Sequence, residues 1–175
     1  MPGMKQAIRW IPALDGPLRL VLGIGLGAMF CYSGFQKHLA PAEFAEAILA
    51  YQLLPQALVG LTAVVFPWLE LTIGALLIIG FLMKAEVGLA SGFGLAAMIV
   101  RNGGLTRRSS LLLIMLQLGL FILVLLITMA RGMKIDCGCG LFSQRQVGPA
   151  AVLEDGLFLL LTGLLYWREW RLKFD

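Results

Sequence analysis

Residues 109–130 have the sequence SSLLLIMLQLGLFILVLLITMA, which contains no charged side chain and lies between Arg108 and Arg131. As an α-helix, these 22 residues extend about 33 Å, which is enough to cross a hydrocarbon core about 30 Å thick. The stretch therefore predicts a transmembrane helix, and it decides the fold class of the chain.

The composition of the whole chain agrees with a membrane protein. Of its 175 residues, 59% are hydrophobic and 14% are charged, and the mean hydropathy is +0.88. A soluble domain carries about a quarter charged residues, so a soluble globular enzyme, a disordered chain and a disulfide-stapled secreted module are excluded. The net charge is +4, but the basic residues lie between apolar runs and form no single face. The expected partner is therefore the lipid bilayer and not a nucleic acid.

The gaps between charged residues place the other spans. We predict four transmembrane helices at residues 18–36, 58–83, 110–131 and 151–168, within a single domain that covers residues 1–175. The expected fold is an all-α integral membrane protein, a four-helix transmembrane bundle with an extra short apolar segment. That segment, residues 84–101, is apolar and rich in small residues but short for a span, so five spans stay open.

The distribution of basic residues favours four spans. With four spans and an inside N-terminus, nine basic residues lie inside and four lie outside, with Lys84 uncounted. Five spans give a nearly even division. The positive-inside rule therefore favours four spans, with residues 131–149 facing outward.

The outward segment 131–149 contains two of the three cysteines, Cys137 and Cys139, in the sequence DCGCG. A disulfide across one intervening residue closes a small, strained ring, and strain makes a disulfide more reducible. The pair is thus a candidate for thiol–disulfide exchange in an oxidising compartment. Two alternatives stay open, which are an inert pair and a thiolate site that carries a soft metal such as Cu(I). With one histidine in the chain, we assign no resident metal site.

Two residues inside the predicted spans are further candidates. Glu70 lies about halfway along the second span, where an acid costs about 2.5–3.5 kcal/mol on insertion scales. It is expected either to relay protons or to pin helices together by pairing with Gln36, Lys37 or Gln117. Cys31 lies in the first span, where it is either a small apolar-facing residue or a resolving thiol.

The other outward segment, residues 38–55, predicts a short helix. Pro41 suits a first helical turn, and Phe44, Ile48 and Tyr51 recur at spacings of four and seven residues. An amphipathic helix on the membrane surface is one interpretation of this pattern, and a plain connector is the other.

Four motifs follow one another between about residue 18 and residue 165, which are YSGFQK, AEFAEAILAYQLLP, FPWLELTIGALLIIG and RGMKIDCGCG. In this order, they resemble the MauE family of methylamine-utilisation membrane proteins, within the broader DoxX-like group. The resemblance implies a four-helix membrane protein that takes part in maturation or disulfide formation of periplasmic proteins, beside a thioredoxin-like partner. It also places Cys137 and Cys139 at the family's cysteine position and Glu70 at its acid in the second helix.

Taken together, the sequence predicts a membrane accessory protein in which Cys137 and Cys139 exchange a dithiol and a disulfide with a thioredoxin-like partner or an extracytoplasmic client. Glu70, Lys37 and Cys31 are the expected supporting residues. Whether the chain is an enzyme, a thiol–disulfide oxidoreductase, stays open. The alternatives are a non-enzymatic assembly scaffold and a soft-metal carrier. No cofactor is evident, and a quinone has no motif in its favour.

Overall fold

A computed structural model of the chain describes residues 16–85, 103–133, 135 and 147–171. These residues form five α-helices, and no strand occurs among them. The helices are α1 (Pro17–Leu39), α2 (Pro41–Ala50), α3 (Gln56–Ala85), α4 (Gly103–Ala130) and α5 (Pro149–Arg171). All except α2 are long and apolar enough to cross a membrane. For the described residues, the prediction of an all-α membrane protein is confirmed, with four helices that could span the membrane.

Local sequence explains where several helices begin and end. Proline stands at the start of α1, α2 and α5, where its missing N–H breaks no helical hydrogen bond. Helix α4 ends in a Schellman motif, in which Met133 N donates to Thr128 O and Gly132 N donates to Met129 O. Gly132 adopts the φ of 68° that this motif requires and that glycine tolerates best.

The predicted spans lie inside the observed helices, apart from Arg131, which follows α4 directly. The helices are longer than predicted because they include charged residues that lie outside the predicted spans. Lys37 belongs to α1, Arg107 to α4 and Glu169 to α5, and all three are buried. Each of them is paired with an opposite charge, which is why it can lie inside the bundle.

The segment 84–101 is described only at its start. Lys84 and Ala85 continue α3, and residues 86–102 lie outside the described residues. The choice between four and five spans therefore stays as the sequence left it.

Helices α1 and α3 approach each other closely where glycines face one another. A Cβ on Gly27 would lie 2.8 Å from the carbonyl oxygen of Gly74, and one on Gly34 would lie 2.7 Å from that of Pro67. Small residues allow such backbone contact between membrane helices, where packing replaces the hydrophobic effect as the driving force.

The four long helices bury one main apolar cluster and expose another set of apolar side chains. On α5, Leu153, Leu157 and Leu160 are 61–74% exposed and lie on one face. An exposed leucine stripe of this kind suits contact with lipid. The buried cluster consists of Leu26, Phe30, Ile73, Leu77, Phe81, Leu111, Ile114, Leu118 and Leu165.

The long helices alternate in direction, so the bundle has two distinct ends. One end, which we call the basic end, carries Glu169 in contact with both Arg19 and Arg107. The other end, which we call the α2 end, holds α2 and the connections from α1 to α3 and from α4 to α5. The segment with Cys137 and Cys139 is the connection from α4 to α5, so it begins and ends at the α2 end.

Candidate functional site: a buried ion pair beside an apolar cavity

Lys37 and Glu70 form an ion pair inside the bundle. Lys37 Nζ lies 2.6 Å from Glu70 Oε1 and 2.7 Å from Oε2, so the ammonium donates to both carboxylate oxygens. The residues are 4% and 2% exposed. Charges removed from water to this degree are tolerated only when they are paired and hydrogen-bonded.

Two further side chains complete the hydrogen bonds of this pair. Ser33 Oγ accepts from Lys37 Nζ at 2.9 Å and lies 3.3 Å from Glu70 Oε2. Gln117 Nε2 donates to Glu70 Oε1 at 3.0 Å. The network therefore joins α1, α3 and α4, and each carboxylate oxygen has two partners.

Helical spacing and a glycine explain why these groups meet. Ser33 and Lys37 are four residues apart, so they lie on the same face of α1. Gly34 lies between them, and a Cβ there would be 3.0 Å from Glu70 Cβ, so only a residue without a side chain lets α3 come this close.

The sequence predicted Lys37, Gln117 and Gln36 as alternative partners of Glu70. The structure brings the first two to Glu70, whereas Gln36 Nε2 donates to Tyr32 Oη at 2.7 Å. Ser33 was not predicted, although its position four residues before Lys37 is a signal in the sequence. The pairing shows that Glu70 pins helices together; its role as a proton relay stays a prediction.

A small cavity of about 50 Å³ adjoins the ion pair. Its polar lining comes from Ser33, Lys37, Glu70 and, on α5, Asp155, and the remainder of its lining is apolar. A cavity needs about 10–15 Å³ to hold one water molecule, so this cavity has room for a few of them.

A larger cavity, which we call the α2 cavity, lies between α2, α3 and α4. Its volume is about 300 Å³. Four aromatic rings line it, those of Phe44, Tyr51, Phe66 and Phe121, and the remaining lining is aliphatic apart from Thr62. The rings of Phe66 and Phe121 meet edge to face with centroids 5.5 Å apart. This lining suits an apolar, ring-containing ligand better than a charged one.

The small cavity beside the ion pair and the α2 cavity share a lining residue. Phe121 lines both cavities. Lys37 Nζ lies 5.3 Å from the centroid of the Phe121 ring and 5.4 Å from that of Phe44, distances typical of cation–π contacts. The two aromatic rings thus separate a charged group from an apolar space.

The short helix α2 has the predicted place in the chain but faces the bundle. Phe44, Ile48 and Tyr51 line the α2 cavity, while Glu43 and Glu46 are exposed. The apolar face predicted for the membrane surface is turned toward α3 and α4, because those helices leave a space that the face covers.

Tyr51 connects this cavity to the segment that carries the cysteines. Burial, and then the charge of Asp155, raises the pKa of Tyr51 to about 12, so the phenol is neutral at physiological pH. The carbonyl oxygens of Tyr51 and Gln52 lie 3.2 and 3.4 Å from Arg131 Nη1, which donates to them from the end of α4.

Cys137 and Cys139 themselves lie outside the described residues. The base of their segment is described. Val147 N donates to Ile135 O at 2.9 Å, and Val147 packs against the buried side chains of Leu125 and Ala151. The hydrogen bond between Ile135 and Val147 thus holds the chain before the cysteines close to the chain after them, at the α2 end.

Cys31 lies at the contact between α1 and α3. Its thiol is half-buried and lies 3.7 Å from Leu71 O, and a Cβ on Gly74 would be 2.8 Å from its Sγ. These contacts fit a small packing residue, and its predicted part as a resolving thiol stays a prediction.

The basic end holds a second buried charge cluster that sequence reasoning missed. Arg107 Nε donates to Glu169 Oε2 at 2.9 Å, and Arg19 Nη1 lies 3.1 Å from Oε1. Arg107 Nη1 also donates to Gly80 O at 2.8 Å, and Arg108 donates twice to Glu169 O. The signal in the sequence is a lone acid, Glu169, among the arginines after the last span.

Comparison with known families places the chain in one of them. Residues 15–168 match the model of the family described as methylamine utilisation protein MauE. No curated protein and no solved structure is similar enough to the chain to count as a match. Because the family match covers most of its length, including three of the four spanning helices and most of the fourth, the chain belongs to the MauE family of methylamine utilisation proteins.

Proposed function

We propose that this membrane protein is a thiol-redox accessory protein, in which Cys137 and Cys139 exchange a dithiol and a disulfide with a thioredoxin-like partner or an extracytoplasmic client. The observation that carries the proposal is the hydrogen bond from Val147 N to Ile135 O. It closes the segment at the α2 end, and the cysteines follow Ile135 by two and four residues. The length of the peptide unit then limits how far from this end they can lie.

The charges of the bundle support an outward position for this end. Basic residues of the described helices concentrate at the opposite end, where Arg19, Arg107, Arg108, Arg168 and Arg171 lie. By the positive-inside rule that end faces the cytoplasm, so the α2 end and its cysteines face the oxidising side of a bacterial inner membrane. The proposal includes a relationship of this chain to the broader DoxX-like group.

The exchange conserves atoms and electrons. A thiolate of the partner attacks the Cys137–Cys139 disulfide, one sulfur leaves as a thiolate, and a mixed disulfide forms. The second partner thiolate then attacks that bond. The partner ends as a disulfide and this chain as a dithiol, after transfer of two electrons and two protons; the reverse direction uses the same steps.

Thiol trapping tests the proposal. The full chain is incubated with a reduced thioredoxin-like protein whose resolving cysteine is replaced by serine, and mixed disulfides are detected by non-reducing electrophoresis. The wild type and Cys31→Ser should form the complex, whereas the Cys137→Ser/Cys139→Ser double variant should not. Equal trapping by the double variant, or cysteines that stay reduced under oxidant, would contradict the exchange and favour an assembly scaffold. Stoichiometric Cu(I) binding that the double variant loses, without trapping, would favour the soft-metal carrier.

A further inference from the structure

We infer that the α2 cavity binds the ring of an isoprenoid quinone, and that this quinone is the oxidant of the Cys137–Cys139 dithiol. The second half of this inference rests on the function proposed above; the first half stands on the cavity alone.

The size and lining of the α2 cavity point to a flat, uncharged ring. About 300 Å³ is at the lower end of the range for small-molecule sites. Aromatic rings bind other π-systems by stacking and edge contacts, and four of them surround this space. A saturated acyl chain gains nothing specific from such rings, because aliphatic walls would serve it equally well.

The cavity reaches the lipid-facing surface of the bundle. Leu54 and Leu120 belong to its lining and are 40% and 49% exposed. The cavity is partly open, so a ligand with its ring inside it can extend an apolar tail into the bilayer through that opening. A ring with a long hydrocarbon tail is the architecture of an isoprenoid quinone, and the lipid phase delivers such a molecule directly to this opening.

The cavity also lies beside the base of the cysteine segment. Tyr51 belongs to its lining, and the Tyr51 carbonyl oxygen accepts from Arg131, the first residue after α4. Cys137 follows Arg131 by six positions along the chain. The α2 cavity therefore offers an apolar ligand a place beside the described base of the segment that carries the proposed thiols.

The redox step balances without a further reactant. The two thiols of Cys137 and Cys139 lose their S–H bonds, an S–S bond forms between them, and two electrons pass to the quinone. The two protons released by the thiols are taken up by the two quinone oxygens, which become the hydroxyls of the quinol. The quinol then leaves into the bilayer, and a partner dithiol reduces the disulfide again.

A pair of substitutions on α2 tests the site. Ala47 lines the cavity, whereas Ala42 is exposed on the same helix, so Ala47→Phe fills the cavity and Ala42→Phe is the matched control. The full chain is reconstituted in quinone-free phospholipid nanodiscs and titrated with a ubiquinone that carries two isoprene units. Ala47→Phe should bind it at least about tenfold more weakly than the wild type, and Ala42→Phe should bind it equally well. Val124→Trp, which fills the cavity from α4, should repeat the loss and guards against a local folding defect of α2.

Two comparisons decide what occupies the cavity. Geraniol has the same tail without the ring and should compete poorly; equal competition would show a tail-binding groove and overturn the inference. So would equal quinone binding by wild type, Ala47→Phe and Val124→Trp.

The role as oxidant is measured separately. The chain is reduced, freed of reductant and mixed anaerobically with the quinone, and one quinol should form for each Cys137–Cys139 disulfide. The Cys137→Ser/Cys139→Ser double variant should bind the quinone but not reduce it. Binding without reduction by the wild type overturns the oxidant role alone, and mixed disulfides with the thioredoxin-like protein without quinone binding overturn the site while the proposed exchange stands.

Discussion

The ammonium of Lys37 donates to both oxygens of the Glu70 carboxylate, at 2.6 and 2.7 Å, from a neighbouring helix of the membrane bundle. Lys37 lies two residues from the end of α1, and Glu70 lies near the middle of α3. The contact therefore fixes the register of the two helices as well as their distance. Ser33 and Gln117 hold the same carboxylate, so α4 is joined to this register.

Loss of either member of the ion pair should destabilise the protein, because the other member then stays buried without its counter-charge. Replacing Glu70 with leucine leaves the Lys37 ammonium buried without its counter-charge, and we expect the free energy of unfolding to fall by about 3–5 kcal/mol. The Lys37→Met variant should lose a similar amount. Both values are measured by denaturant titration of the purified protein in detergent micelles.

The double variant Lys37→Met/Glu70→Leu is the decisive control. Because it buries no unpaired charge, its stability should lie well above that of either single variant, with a coupling of at least about 2 kcal/mol. Additive losses in the double variant would mean that the two charges do not depend on each other.

Close backbone contact between α1 and α3 gives a second prediction. In Gly34→Ala the new methyl would lie 2.7 Å from the Pro67 carbonyl oxygen, which belongs to backbone and cannot easily move. We expect a loss of about 1–3 kcal/mol. Gly25, on the same helix, has no atom within 4 Å of such a methyl, so Gly25→Ala should match or exceed the wild type in thermal stability. Equal melting temperatures for the two variants would contradict this packing.

The sequence predicted the helices better than it predicted their ends. Apolar runs locate the spans because the bilayer sets a fixed length, which is why all four were found. The predicted ends are wrong where a helix continues past the charged residues that flank an apolar run. Lys37 and Arg107 lie inside helices, since each has a partner from another helix that no local pattern reveals.

The sequence likewise predicted only part of the candidate site. The sequence identified Glu70 and two of its partners, because an acid inside an apolar run is itself a strong signal. It did not indicate the α2 cavity, since its lining comes from three helices that are adjacent only after packing. It also missed Glu169, which follows a span and was not distinguished from the charges of a membrane anchor.

Glu169 provides the counter-charge for the basic end. Glu169→Gln leaves Arg19 and Arg107 facing each other without a carboxylate, and we expect a loss of about 3 kcal/mol in the free energy of unfolding. Glu43→Gln removes an exposed acid of α2 and should change stability by less than about 0.5 kcal/mol. Denaturant titration compares both variants, and an unchanged Glu169→Gln protein would contradict a structural role for the cluster.

The orientation of the bundle can be measured with single cysteines in a cysteine-free background. Glu46→Cys lies on the exposed face of α2, and Arg171→Cys lies at the last residue of α5. In intact spheroplasts, a membrane-impermeant maleimide should label Glu46→Cys, and it should label Arg171→Cys only after lysis. The reverse pattern would place the cysteine segment on the cytoplasmic side and contradict the proposed exchange in an oxidising compartment.

Tyr51 should make the stability of the folded protein depend on pH in the alkaline range. Burial, and then the charge of Asp155, raises the pKa of Tyr51 from 10 to about 12, so the folded protein favours the neutral phenol. The resulting stability is complete below pH 10 and is lost as the pH rises toward 12, because the phenol of the unfolded chain ionises first. The melting temperature in detergent should therefore fall more steeply between pH 10 and pH 12 for the wild type than for Tyr51→Phe, which has no proton to lose. Parallel curves for the two proteins would show that the Tyr51 phenol is not held neutral against the cavity wall.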